Sequence, residues 1–189
     1  YTIFLFFLFL SEVKAQKKLS YSKSTQKNVL ERTEEGSDKD HYQYKSNFYE
    51  GLKQKSLSNF DQAIKYFEKC IKINSLEPSP FYEIAKIYFY QEEYEKSLEY
   101  SKKSSELNPE NRWYLEFYAE NLFHNLEFWK SSKVFKRLIK QDKENQDYYI
   151  NLARSYIYSE NLKGAIKTYN DLENVKGVHH FTSIQKHNI

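Results

Sequence analysis

Small residues recur along this chain at Gly51, Ala85, Ala119 and Ala153, each 34 positions after the last. A second small series, Ala63, Ser97, Ser131 and Ala165, keeps the same step. Large apolar residues keep it as well, at Phe60, Tyr94, Phe128 and Leu162, and at Ile64, Leu98 and Ile166 with Ser132 as a polar member. An unvarying period of this length marks stacked structural repeats. It divides the chain into four units without insertion, at 44–77, 78–111, 112–145 and 146–179. The small series have a physical reason. Two helices of one unit cross closely only where a side chain is small, and the large residues fill the space beside the crossing.

Each unit has the same inner layout. In the second, the spacing predicts a helix over about 80–90, a break at Gln91-Glu92-Glu93 and a second helix to about Leu107. Asn108-Pro109 stops that helix, because proline lacks the N–H needed to continue it. Pro78 and Pro80 precede the first helix, where a missing N–H costs nothing. Phe81, Ile84, Ala85 and Tyr88 mark the helical face, and Tyr149, Leu152, Ala153 and Tyr156 repeat it. No stretch alternates as a strand would. The predicted class is all-α.

The pattern resembles the tetratricopeptide repeat, a helix–turn–helix of 34 residues with a W-x2-L-G-x2-Y…A-x3-F…P signature. Unit two carries Phe81, Ile84, Ala85, Tyr88, Ser97, Ser101 and Pro109 at the signature sites. Unit three carries Leu115, Tyr118, Ala119, Leu122, Ser131 and Phe135, and unit four Tyr149, Leu152, Ala153, Tyr156, Ala165 and Tyr169. Unit one departs in its first helix, with Asn47, Glu50 and Gln54 at large apolar sites, and returns to type at Phe60, Ala63, Phe67 and Cys70. The likeness covers about 136 of the 189 residues. It implies a right-handed superhelical solenoid of tandem repeats, with unit one doubling as a cap. One unit cannot bury its own apolar face, so neighbours must stack.

The resemblance also implies that the first helices line a concave, peptide-binding face. The register then names the inward residues. Unit two offers Ser79, Tyr82, Lys86, Phe89 and Tyr90; unit three Trp113, Glu116, Glu120, Phe123 and His124; unit four Asp147, Ile150, Arg154, Ile157 and Tyr158. Rigid rings mixed with charges of both signs suit a protein partner, since aromatics and arginine dominate interface energetics. The other reading of these rings is packing between neighbouring first helices. Chaperone-tail-binding members clamp a terminal carboxylate with Lys, Asn and Arg, but those sites here hold Phe48, Leu52, Glu83, Trp113 and Phe117. No such clamp is expected.

Composition narrows the function classes. Apolar residues make up 40% of the chain, enough for a packed core, and Gly and Pro number only 4 and 3, too few for a chain of tight turns. The net charge of +3, with mixed signs, marks no nucleic-acid surface. No phosphate-binding loop, dinucleotide fingerprint or nucleophile elbow occurs, so no enzyme is expected. Of the histidines, His179 and His180 are adjacent, and adjacent helical residues point to different sides. No metal, cofactor or small-molecule substrate is expected. The single Cys70 cannot close an internal disulfide, and its register makes it a small buried hydrophobe.

The ends are read separately. Ile3 to Leu10 is an apolar run of eight, too short to span a bilayer, and Val13-Lys14-Ala15 gives small residues at a cleavage site before Gln16. Residues 1–15 are therefore expected to be a signal peptide truncated at its start, with membrane contact only if that leader stays as an anchor. Residues 16–43 read as a polar linker with one short helix near 26–35. Residues 180–189 open a fifth repeat, and the chain, which lacks Met, is expected to be a fragment. The functional expectation is an exported, periplasmic or envelope-associated scaffold that binds protein or peptide segments. The alternative is the extracytoplasmic sensor domain of a larger membrane signalling protein.

Overall fold

The computed structural model describes residues 38–177 and 180–187. The leader at 1–15, the helix expected near 26–35, the linker up to residue 37 and His179 lie outside the described residues. The chain divides into two units, Tyr1–Ser46 and Asn47–Ile189. In the first, residues 38–46 are helical, including the 38–43 stretch that sequence reading assigns to the linker.

The second unit opens with helical residues 47–56, α1. There follow α2 (Phe60–Ile73), α3 (Pro78–Tyr90), α4 (Tyr94–Leu107), α5 (Arg112–His124), α6 (Phe128–Gln141), α7 (Gln146–Tyr158), α8 (Leu162–Lys176) and α9 (His180–His187). Among the described residues there is no strand, and no helix is long and apolar enough to cross a membrane.

Odd-numbered helices are the first of each pair and even-numbered ones the second. The starts of α3, α5, α7 and α9 fall at 78, 112, 146 and 180, in step with the period of the small residues. Pro78 stands in the first turn of α3. Asparagine caps three later helices. Asn111 accepts from the backbone N–H of Trp113 and Tyr114, Asn145 from that of Asp147, and Asn161 from that of Gly164. Each satisfies donors that a helix start leaves open.

The turn inside each pair is the same object repeated four times. Ser58, Glu92, Leu126 and Glu160 all take φ near +60°, at 60, 62, 60 and 59°. In the second pair the Glu92 N–H donates to the Phe89 carbonyl at 3.0 Å, and the Glu93 N–H to the Tyr88 carbonyl at 2.9 Å. This is the left-handed helix stop that returns two orphan carbonyls to hydrogen bonds. The Leu126 and Glu160 turns repeat both bonds.

Within a pair, the two small series face one another. Ser97 Oγ donates 2.8 Å to the Ala85 carbonyl, and Ser131 Oγ donates 2.8 Å to the Ala119 carbonyl. All four residues are fully buried. Between pairs, apolar residues close two cores. One gathers Ala63, Phe67, Ile84 and Ile87, with Phe48, Leu52, Tyr88 and Tyr100 packed against it. The other runs through Leu115, Phe135, Tyr148, Leu152, Tyr156 and Tyr169. Cys70 is fully buried, as its register predicts. The short α9 returns to the stack through Thr182, whose hydroxyl donates 2.7 Å to Glu173, and through Lys186, paired with Glu173 at 2.8 Å.

Candidate functional site: the shared face of three first helices

Ring contacts bring α3, α5 and α7 side by side. The Tyr82 ring of α3 lies 5.0 Å from Tyr114 and 5.4 Å from Phe117 of α5. Phe89 sits 5.4 Å from Phe117. From α5 to α7, Phe123 lies 5.2 Å from Tyr158, and the Tyr148 hydroxyl donates to Glu116 at 3.4 Å. These separations fall in the range preferred by aromatic pairs.

Toward the turn end, the candidate rings gather into two clusters of one design. Phe89, Tyr94 and His124 form the first, with centroid distances of 5.4, 4.9 and 4.8 Å, the imidazole stacking on Tyr94. Phe123, Phe128 and Tyr158 form the second, at 5.1, 5.2 and 5.2 Å. Corresponding members are 34 residues apart. In each cluster the first residue of a second helix is covered by the end of the next pair's first helix. Phe60 and Tyr90 repeat that contact at 5.2 Å. Phe89, Phe123 and His124 therefore act as packing between repeats. Tyr90 and Tyr158 keep 74% and 60% of their surface exposed while touching these clusters.

The middle of the face is charged. Glu83 of α3 pairs with Lys55 of α1, and also with Lys86 at 3.5 Å. The Lys86 ammonium stands 5.1 Å from the Tyr82 ring centre, and Arg154 lies 4.2 Å above Phe123. Such cation–ring contacts attract through the ring quadrupole. Glu116 and Glu120 lie one turn apart on α5, both half-buried. Burial, opposed by the Tyr148 hydrogen bond and reinforced by Glu120 and Asp147, holds the Glu116 carboxyl above the ordinary carboxylate range. Burial and then the charge of Glu83 raise the Tyr82 phenol likewise. Trp113 stands at the far end, 58% exposed, with Arg112 over its ring at 4.8 Å. No ring contact joins Trp113 to the other candidates among the described residues.

Sequence reasoning passed over Tyr114 and Tyr94 as parts of this face, and named Glu83 and Phe117 only as occupants of the absent clamp's sites. Phe117 follows Tyr114 at i+3 and precedes Glu120 at i+3, a spacing that puts all three on one side of a helix. Tyr94 belongs to a second helix and reaches the face through Phe89 of its own repeat and His124 of the next. On the side of the second helices, a cavity of about 660 Å³ opens between α2 and α4 over Ile71, Phe81 and Tyr100. Tyr100 lies 6.3 Å from Phe81 and 5.7 Å from Tyr88 of its own repeat, and it packs against the core that Ala63 and Phe67 of the first repeat share with Ile84 and Ile87.

Comparison with known proteins bears on this arrangement. The model of the tetratricopeptide repeat family matches residues 47–75 and 79–111, the first two repeats. No curated protein matches the sequence significantly. Among solved structures, MamA of Desulfovibrio magneticus RS-1, from residue 41 to its end, is similar with a TM-score of 0.65 at 14% identity, covering 77% of this chain and 86% of that one. A further MamA crystal structure is similar with a TM-score of 0.60 at 21% identity, covering 67% and 74%. PilF of Pseudomonas aeruginosa gives a TM-score of 0.59 at 12% identity, covering 79% and 68%. At these identities the likeness is one of fold. Two matched repeats and the tandem helix pairs that follow them give the described residues the tetratricopeptide-repeat fold.

Proposed function

We propose that this protein is a non-enzymatic scaffold that holds a protein or peptide segment on the shared face of α3, α5 and α7, outside the cytoplasm. One observation carries the binding site. Three consecutive first helices place in register a row of rings and charges that the fold leaves partly open, with Tyr82, Lys86, Glu120 and Arg154 at its middle. Tyrosine supplies contact area together with a hydroxyl, and arginine anchors interfaces. Export is supported by the apolar run at Ile3–Leu10 and the small residues at Val13 and Ala15.

The test uses the exposed rings, whose loss leaves the core whole. Tyr90→Ala, Trp113→Ala and Tyr158→Ala are combined, and capture of peptides from a random display library is compared with that of the parent chain. Capture should be lost while far-UV ellipticity is unchanged. Undiminished capture by the triple variant overturns the site. Export is checked separately, by fusing alkaline phosphatase to the natural gene product. The phosphatase gains its disulfides and activity only in an oxidising compartment, so a fusion that is expressed but inactive would overturn export.

A further inference from the structure

We infer that the segment held on this face is extended and presents acidic, basic and acidic side chains at intervals of about three residues. This rests on the binding site proposed above and specifies its occupant. The inference comes from Lys86, Glu120 and Arg154. They stand 34 residues apart, hence at one register position of α3, α5 and α7, and their charges alternate in sign.

The charges are largely uncommitted inside the protein. Glu120 and Arg154 form no salt bridge or hydrogen bond among the described residues; Arg154 rests on the Phe123 ring, which leaves its N–H fork open. Lys86 has a 3.5 Å contact with Glu83, a carboxylate that Lys55 already holds, and stands 5.1 Å from the Tyr82 ring centre. The middle of the row is the strongest anchor. Glu120 and the half-buried Glu116 stand one turn apart, and their mutual repulsion helps to keep Glu116 above its ordinary range. A lysine or arginine from a partner would answer both carboxylates at once, as opposite charge in a partly dry site is screened weakly.

Geometry selects an extended occupant. Packed helices stand about 8–10 Å apart axis to axis. An extended chain advances about 3.3 Å per residue, so one repeat step spans about three residues. On a helix, residues three apart are only about 5–6 Å from one another, roughly half the step. The sign pattern reads the same from either end, so the row sets spacing without fixing chain direction.

Fluorescence anisotropy on the full chain tests this with labelled sixteen-residue peptides. One carries Glu-x-x-Lys-x-x-Glu in an otherwise neutral, unstructured sequence. A second inverts the signs, and a third puts the same charges seven apart on a helix-forming sequence. The first should bind at least tenfold more tightly than the other two, with affinity falling as salt rises. Glu120→Gln should remove most of that preference. Lys86→Glu, Glu120→Lys and Arg154→Glu together should make the inverted peptide the better ligand. Equal binding of matched and inverted peptides, or an unchanged preference in the reversed variant, overturns the inference. Tighter binding of the helical peptide overturns the extended occupant. The library separates this from the site itself. Binders that depend on Tyr90, Trp113 and Tyr158 but share no charge pattern sink the charge row and leave the site standing. No binder dependent on those rings sinks both.

Discussion

Gly51 of α1 lies against the ring of Phe67 in α2, so close that an added Cβ would stand 2.7 Å from Phe67 Cε1 and 3.0 Å from Cδ1 and Cζ. Phe67 is fully buried and meets Phe48 edge-on at 5.6 Å, so its ring has nowhere to retreat. Glycine inside a helix ordinarily costs about 0.5–1 kcal/mol relative to alanine. Here the order should reverse. Gly51→Ala should destabilise by about 1–3 kcal/mol, the cost of overpacking. Urea denaturation followed by ellipticity checks the sign; a stabilised variant would mean that the ring moves freely.

The crossings of the later pairs make a graded prediction. Ser97 and Ser131 each donate to a helix carbonyl across the crossing, yet the same site holds Ala63 and Ala165 in the outer pairs. The methyl alone therefore fits. Ser97→Ala should cost only about 0.5–1.5 kcal/mol, the net worth of one hydrogen bond. Ser97→Leu should cost more, because it forces α3 and α4 apart over fully buried neighbours. A leucine as mild as the alanine would show the crossing to be loose.

These two sites explain what the sequence could and could not disclose. Gly51, Ala85, Ser97 and Ser131 are legible because close backbone approach admits no alternative chemistry. Cys70 is legible for a different reason: its site in the other repeats holds Ser104, Leu138 and Leu172, and the register marks an inward position at which all four are fully buried. The turn series of Ser58, Glu92, Leu126 and Glu160 is not legible in the same way. Its shared feature is a backbone angle, and none of the four is the glycine that usually announces it. The proposed binding face is legible only as a strip of register positions. Phe117 lies just off that strip. Tyr94, on a second helix, joins it through Phe89 and through the stacked His124 of the next repeat, and the latter contact is set by how one repeat packs on the next, which no periodicity within a single repeat encodes.

The turns give a stabilising prediction. Leu126 holds φ at +60° with 74% of its side chain exposed, so its bulk earns no packing in return. The left-handed region costs an L-residue about 1–2 kcal/mol. Glycine avoids that cost but gives back about 0.5–1 kcal/mol through its freer unfolded state. Leu126→Gly should therefore raise stability by about 0.5–1 kcal/mol, read as a higher urea midpoint with an unchanged slope. A lower midpoint would show that the leucine side chain contributes contacts worth more than the backbone strain.

Cys70 ties the core to alkaline pH. Burial pushes its thiol up to about 11 from an ordinary 9.0. The unfolded chain thus loses this proton first as pH rises. Between about pH 9 and 11 the unfolded state binds fewer protons than the folded one, and stability falls across that window. Below it both states hold the proton and the effect vanishes. The half-buried phenols of Tyr82 and Tyr100 and the buried one of Tyr169 are raised by desolvation too, and they add a loss of the same sign at the upper end. The urea midpoint should be flat from pH 7 to about 9 and then decline. Cys70→Ala, slightly less stable at pH 7 through its small cavity, should decline less, so that the gap between the two proteins narrows above pH 9. At pH 8 the native thiol should resist a disulfide reagent and react fully once urea unfolds the chain. Rapid reaction in the native state, or parallel pH profiles for the two proteins, would place the thiol in contact with water.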